Sequence, residues 1–135
     1  MLRNTVLLAL TNRFGAAAFV VGNSPDIIAT FAAAHPDVGA AQVREHGADV
    51  VVNVGAKHHQ HCSAHVLGPP PSSEDRENLI AEEVVEFLSA LFDNRILLWE
   101  TPNHRIGGWI RVQDTPSHPP EQGEKRWALW SGPLV

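Results

Sequence analysis

Apolar and polar positions alternate along several short stretches of this chain, and along one long stretch apolar positions recur with the helical period instead. In residues 74–92, Ile80, Val84, Phe87, Leu88 and Leu91 share one helical face, and Leu79, Val85 and Phe92 widen the stripe. Ser72 or Ser73 can cap this helix, Glu74, Asp75 and Glu77 suit the positive end of its dipole, and Asn94 fits a left-handed terminator. Before it, residues 38–45 and 49–54 flank "HGAD" and predict a hairpin turned at Gly47. After it, "RILLWE" and "GGWIRVQ" flank "TPNHRIG" and predict a second hairpin over 95–100 and 108–113. "KRWALWSG" alternates as one more strand, with Trp127 and Leu129 on one face and Ala128 and Trp130 on the other.

Upstream the punctuation points to a second helix. Ser24-Pro25-Asp26 offers a hydroxyl at the N-cap, proline at the first helical position and an acid in the first turn. The expected helix covers 25–34, turns Ile27, Ile28 and Phe31 to the core, and stops at His35-Pro36. Residues 14–21 are apolar and read as a first strand or a packed arm. Residues 1–13 carry a short apolar run broken by Asn12 and Arg13; they receive no element and stand open to disorder. Gly68 and the three prolines after it end regular structure, and 114–124 reads as a proline-rich loop.

Hairpins build antiparallel sheets, and amphipathic helices must cover one sheet face. The pattern therefore predicts a single α+β domain over 1–135, with an antiparallel sheet of about five to six strands and two helices packed on one face. The segment "AEEVVEFLSALFDNRILLW" followed by "GGW", with a strand, a short "HxH" and a loop before it, resembles small uncharacterised bacterial proteins, including orphans carried on integron gene cassettes. The resemblance spans about 24–112. It implies a compact α+β fold and a homo-oligomer, and it brings no catalytic residues.

Composition narrows the function classes. A 135-residue chain with 44% hydrophobic and 19% charged residues is large enough and apolar enough to fold around one core. Its net charge of −5 argues against a nucleic-acid surface, which needs an excess of Lys and Arg. Protonating all eight histidines would reverse the sign of that charge, so solubility and association should respond to pH near 6. The single cysteine rules out an internal disulfide and fits a reducing compartment. No run is long enough to span a membrane and no clean cleavage site follows Val6–Leu10, so the expected location is cytoplasmic.

The most chemically loaded stretch is "GAKHHQHCSAHV", residues 55–66. If the strand from Asp49 continues into it, His59 and His61 share a face, because side chains two apart in a strand point the same way. If it turns helical, His58, His61, Cys62 and His65 line up instead. Both arrangements permit a metal, and the set taken as the candidate is His59 and His61 with Cys62 or His65 as a third ligand, able to hold zinc and activate water. The spacing lacks the acidic residues of metallo-β-lactamase-like and cupin motifs, and no carboxylate lies between Asp49 and Glu74 to orient the imidazoles. Cys62 as a nucleophile would need a base and an oxyanion hole, and nothing marks the latter. Glu82, Glu83 and Glu86 fall on the polar face of the long helix, where solvated carboxylates are expected.

Trp99, Trp109, Trp127 and Trp130 come from three predicted strands, and large aromatics there serve cores, pockets and interfaces alike. Trp99 and Trp109 are expected in the core, Trp130 at an interface or pocket. Two readings follow. The leading one is a non-catalytic binding or interaction domain, homo-oligomeric, that holds a protein partner or a small apolar ligand without a cofactor. The alternative is a small zinc-binding protein or metal-dependent hydrolase built on the histidine cluster.

Overall fold

The computed structural model describes residues 1–64, 72–101, 107–112 and 126–133. Within them the order is α1 (Leu2–Phe14), a 3₁₀ turn (Ala16–Ala18), β1 (Val20–Val21), β2 (Ile27–Phe31), β3 (Ala41–His46), β4 (Asp49–Val54), β5 (His58–Cys62), α2 (Ser73–Phe92), β6 (Ile96–Glu100), β7 (Gly107–Arg111), β8 (Arg126–Leu129) and β9 (Gly132–Pro133). The fold is α+β, with two antiparallel sheets in place of the single sheet expected. The first runs β1-β2-β3-β4-β5 and the second β7-β6-β8-β9.

The long helix follows its sequence signals closely. Ser72 Oγ accepts from the Asp75 backbone N–H at 3.2 Å and so caps α2, while Asn94 adopts φ 58° just past its end. Its buried face carries Ile80, Val84, Phe87, Leu88 and Leu91. Burying side chains of this size stabilises the fold by about 1.5–3 kcal/mol each, so α2 is the chief organiser of the core. It serves both sheets: Phe87 packs on Trp109 of β7 at 5.1 Å, and contacts with β4 and β5 bind it to the first sheet.

Upstream, one open point is filled and one expectation is corrected. Residues 1–13, which received no element from the sequence, form most of α1, which buries Val6 and Leu10 against the core. The 25–34 helix does not form. Ser24 Oγ donates to Asp26 Oδ1 at 2.9 Å within a turn, and β2 follows at once. Ile27, Ile28 and Thr30 are β-branched and pair well on a pleated surface, so the strand preference outweighs the capping signal. The apolar 14–21 stretch divides into the end of α1, the 3₁₀ turn and β1.

α1 is held at both ends. The Arg3 guanidinium donates to the carbonyls of Gly22 (2.8 Å) and Ile27 (2.9 Å), tying the β1–β2 turn to the helix. Phe14 joins a ring cluster with Phe31 and Phe92, which extends to Phe19 and Trp130. Thr5 Oγ1 donates to Glu77 Oε2 at 3.4 Å near the start of α2, and Phe14 meets Phe92 at its end, so the two helices run side by side in the same direction.

In the first sheet, alternation sorts the faces. Val50, Val52 and Val54 point inward with Val43 and Ala41 of β3 opposite them, and Gln42, Arg44, Val51 and Asn53 point outward. The second sheet differs: Leu98 pairs with Trp109 and Ala128 on its core face, and Trp99 pairs with Gly108 and Trp127 on the other.

Candidate functional site

The turn between β4 and β5 separates the histidines from the strand expected to carry them. Gly55 has φ 61°, and a Cβ there would lie 2.2 Å from the Val38 carbonyl oxygen; Gly39 has φ 92°, and a Cβ there would lie 2.7 Å from Gly55 Cα. Two backbone segments thus cross at a distance only glycine permits. The chain then reverses, and β5 pairs antiparallel with β4 in the register Val54 to His58, Val52 to Gln60 and Val50 to Cys62.

This register decides what the cluster can do. His59 and His61 do share a face, the outward one, and both are exposed. Cys62 faces the opposite way and is fully buried. Burial pushes its thiol up to about 12, with a smaller contribution from the nearby Glu83 carboxylate, so it is neither a thiolate ligand nor a ready nucleophile at neutral pH. His65 lies outside the described residues, as do 114–124. Among the described residues no group of three His, Cys, Asp or Glu side chains is placed to hold a metal ion.

His61 does have a carboxylate partner that spacing along the chain concealed. Its Nε2 donates to Asp49 Oδ2 at 3.2 Å, and Asp49 also receives the Arg76 guanidinium from the first turn of α2. Desolvation alone would raise the Asp49 pKa, but the hydrogen bonds from His61 and Arg76 outweigh it and hold the carboxyl below its usual range. Arg76 also donates to the Ala48 carbonyl, so this group ties the β3–β4 turn to α2. The ring of His46 stands edge-on to His61, 5.5 Å between centroids. A guanidinium at the centre of the cluster suits a structural clasp.

His58 falls on the inward face and leads to a different place. Its Nε2 donates to the Trp99 carbonyl at 2.9 Å, joining the first sheet to the second. A carbonyl only accepts, so Nε2 carries the proton and the bond survives protonation of the ring. A Cβ on Gly107 would lie 3.2 Å from the Trp99 carbonyl oxygen, a tight but not forbidding approach beside His58, so this half of the Gly-Gly pair is only weakly constrained. The other half is explained on the opposite face, where a Cβ on Gly108 would lie 2.8 Å from the Trp99 indole.

Beside this joint opens a cleft of about 540 Å³. Its walls are the 36–39 loop, the β4–β5 turn and the strands β6, β8 and β9. Val38, Val54, Leu98 and Ala128 give it apolar lining, and Asp37, His58 and the ion pair of Lys57 Nζ with Glu100 Oε2 at 3.0 Å give it polar lining. Glu100 is the more sheltered partner, 20% exposed against 38% for Lys57. A concavity of this volume that combines apolar lining with a few polar groups can hold a small organic molecule.

Trp99 and Trp130 take places other than those expected. Trp130 is in the core, its ring 5.1 Å from Phe92, and is not presented at a surface. Trp109 packs on Phe87 at the core margin, as expected of it. Trp99 and Trp127 are half-buried cross-strand neighbours that border the cleft. Sequence reasoning missed Val38, Lys57, His58 and Glu100 as a group. The one available signal was Gly55-Ala56-Lys57, a turn between two strands.

The chain matches no protein-family model, no curated protein and no solved structure. The functional reading therefore rests on geometry. No helix among the described residues is long and apolar enough to cross a membrane.

Proposed function

We propose that this protein is a small-molecule-binding domain whose ligand has an apolar body and one polar head group. The observation that carries the reading is the cleft itself, which combines the apolar side chains of Val38, Val54, Leu98 and Ala128 with the polar groups of Lys57, Glu100, His58 and Asp37. The apolar body would gain about 25 cal/mol for each Å² removed from water. The head group would exchange water for the Lys57–Glu100 pair, so orientation would come from few contacts. The zinc reading has weaker support, since the described part of its ligand set reduces to His59 and His61 on an exposed face.

The test uses two fluorophores with one apolar body, the neutral N-phenyl-1-naphthylamine and the anionic 8-anilinonaphthalene-1-sulfonate. Both are expected to bind, and Ala128→Phe, which fills the cleft, should abolish both signals while the protein still melts cooperatively. Lys57→Glu should weaken the anionic probe about tenfold and leave the neutral one within about twofold. Absence of binding below about 100 µM, or binding that survives Ala128→Phe, would sink the reading.

A further inference from the structure

A second concavity of about 680 Å³ lies between α1 and α2, remote in composition from the cleft just described. Its floor is Ala9, Ala81 and Val85, and Leu8 stands at its edge with 62% of its surface exposed. Arg13 borders the α1 side, and Glu82 and Glu86 border the α2 side. We propose that this groove is the interface of a two-fold homodimer in which the α1 helices of two copies cross antiparallel at Leu8.

Three features of the groove favour a second copy of this chain over a foreign helix. Leu8 is the middle residue of α1, Leu2–Phe14, and an antiparallel pair related by a two-fold axis brings one position of each helix against itself. An outward leucine there is the knob that such a crossing needs. The alanines on the floor keep it shallow enough for helices to approach at about 8–10 Å. The rim is self-complementary: its α1 side is positive and its α2 side negative, so the two-fold places Arg13 of each copy toward Glu82 of the partner subunit. Glu86 already receives the Arg111 guanidinium at 2.6 Å, which leaves Glu82 as the residue for this role. A helix of 13 residues is about 20 Å long, so the buried area is at the low end for a stable dimer and the dissociation constant is expected to be of micromolar order.

Sedimentation equilibrium on the full chain from about 1 to about 300 µM tests the proposal. The parent protein is expected to pass from monomer to dimer within that range. Leu8→Glu should raise the dissociation constant at least about 100-fold, and Arg13→Glu about tenfold. Combining Arg13→Glu with Glu82→Arg should return it to within about threefold of the parent. Leu8, Arg13 and Glu82 are all exposed, so each variant should keep the parent's melting curve, which circular dichroism checks. A parent that stays monomeric throughout, or a dimer that Leu8→Glu leaves intact, overturns the interface. Failure of Glu82→Arg to restore Arg13→Glu overturns the two-fold arrangement. Capture of an amphipathic peptide by a monomeric parent would likewise overturn the self-association and assign the groove to a foreign helix.

Discussion

The two sheets were built from the same kinds of hairpin, yet they divide their chemistry in opposite ways. The first has a valine-lined inner face and a polar outer face, and its histidines His59 and His61 stand outward beside Asn53 and Val51. The second has apolar side chains on both faces: Leu98, Trp109 and Ala128 inward, Trp99 and Trp127 outward. The residues with the richest chemistry therefore lie on a solvated surface. The quieter ones enclose the cleft, at the seam where His58 reaches the Trp99 carbonyl. Residue type marked the outward face of the first sheet, whereas enclosure puts the cleft at the seam between the two sheets.

The contrast can be broken most directly through the second sheet. Trp130→Ala removes a buried ring packed at a tilt against Phe92 and should cost about 3–5 kcal/mol in urea unfolding. Trp127→Ala, on the outward face of β8 and half-buried, should cost less than half as much. Equal losses would mean that the outward face of β8 is packed as tightly as the core beside the β8–β9 turn. Next in size is Gly55→Ala, where a Cβ meets the Val38 carbonyl at a positive φ; a loss of about 2–3 kcal/mol in the same assay is expected, with weakened probe binding at the cleft.

Smaller effects sharpen the reading of the first sheet. Asp49→Asn should cost about 1 kcal/mol at neutral pH. The folded carboxyl has the lower pKa, so its contribution is complete above the unfolded value of about 3.9 and is lost as pH falls through the folded one. The difference between parent and Asp49→Asn, measured by urea midpoints, should thus close on acidification below about pH 4. Least affected should be His59→Ala: within about 0.5 kcal/mol of the parent, and with no change in the response of the melting temperature to added zinc. A zinc-dependent rise in melting temperature that His59→Ala removes would restore the metal reading.

Much of the fold was legible where local signals and tertiary need agreed. Gly47 with alternation on both sides gave the β3–β4 hairpin, and Ser72 and Asn94 bracketed α2. The reading failed where one local signal has two structural uses. Ser24-Pro25-Asp26 satisfies the requirements of a turn as well as those of a helix start, because a short polar side chain bonds its neighbours in both. α1 was missed for another reason: Leu7, Leu8, Ala9 and Leu10 spread apolar character around the helix, so no stripe stood out. The cleft was hidden by distance along the chain. Lys57 and Glu100, or Asp49 and Arg76, meet only after two sheets and a helix have packed.

The grip of Arg3 on the Gly22 and Ile27 carbonyls has a consequence for the chain as it is made. α1 precedes α2 along the chain and can secure the β1–β2 turn before α2 is made, but Phe92, against which Phe14 rests, follows 78 residues after it. At synthesis rates of about 5–20 residues per second, that is a wait of roughly 4–16 seconds. For that interval Val6 and Leu10 lack the helix that later packs beside them, and the apolar side of α1 stays open to other surfaces.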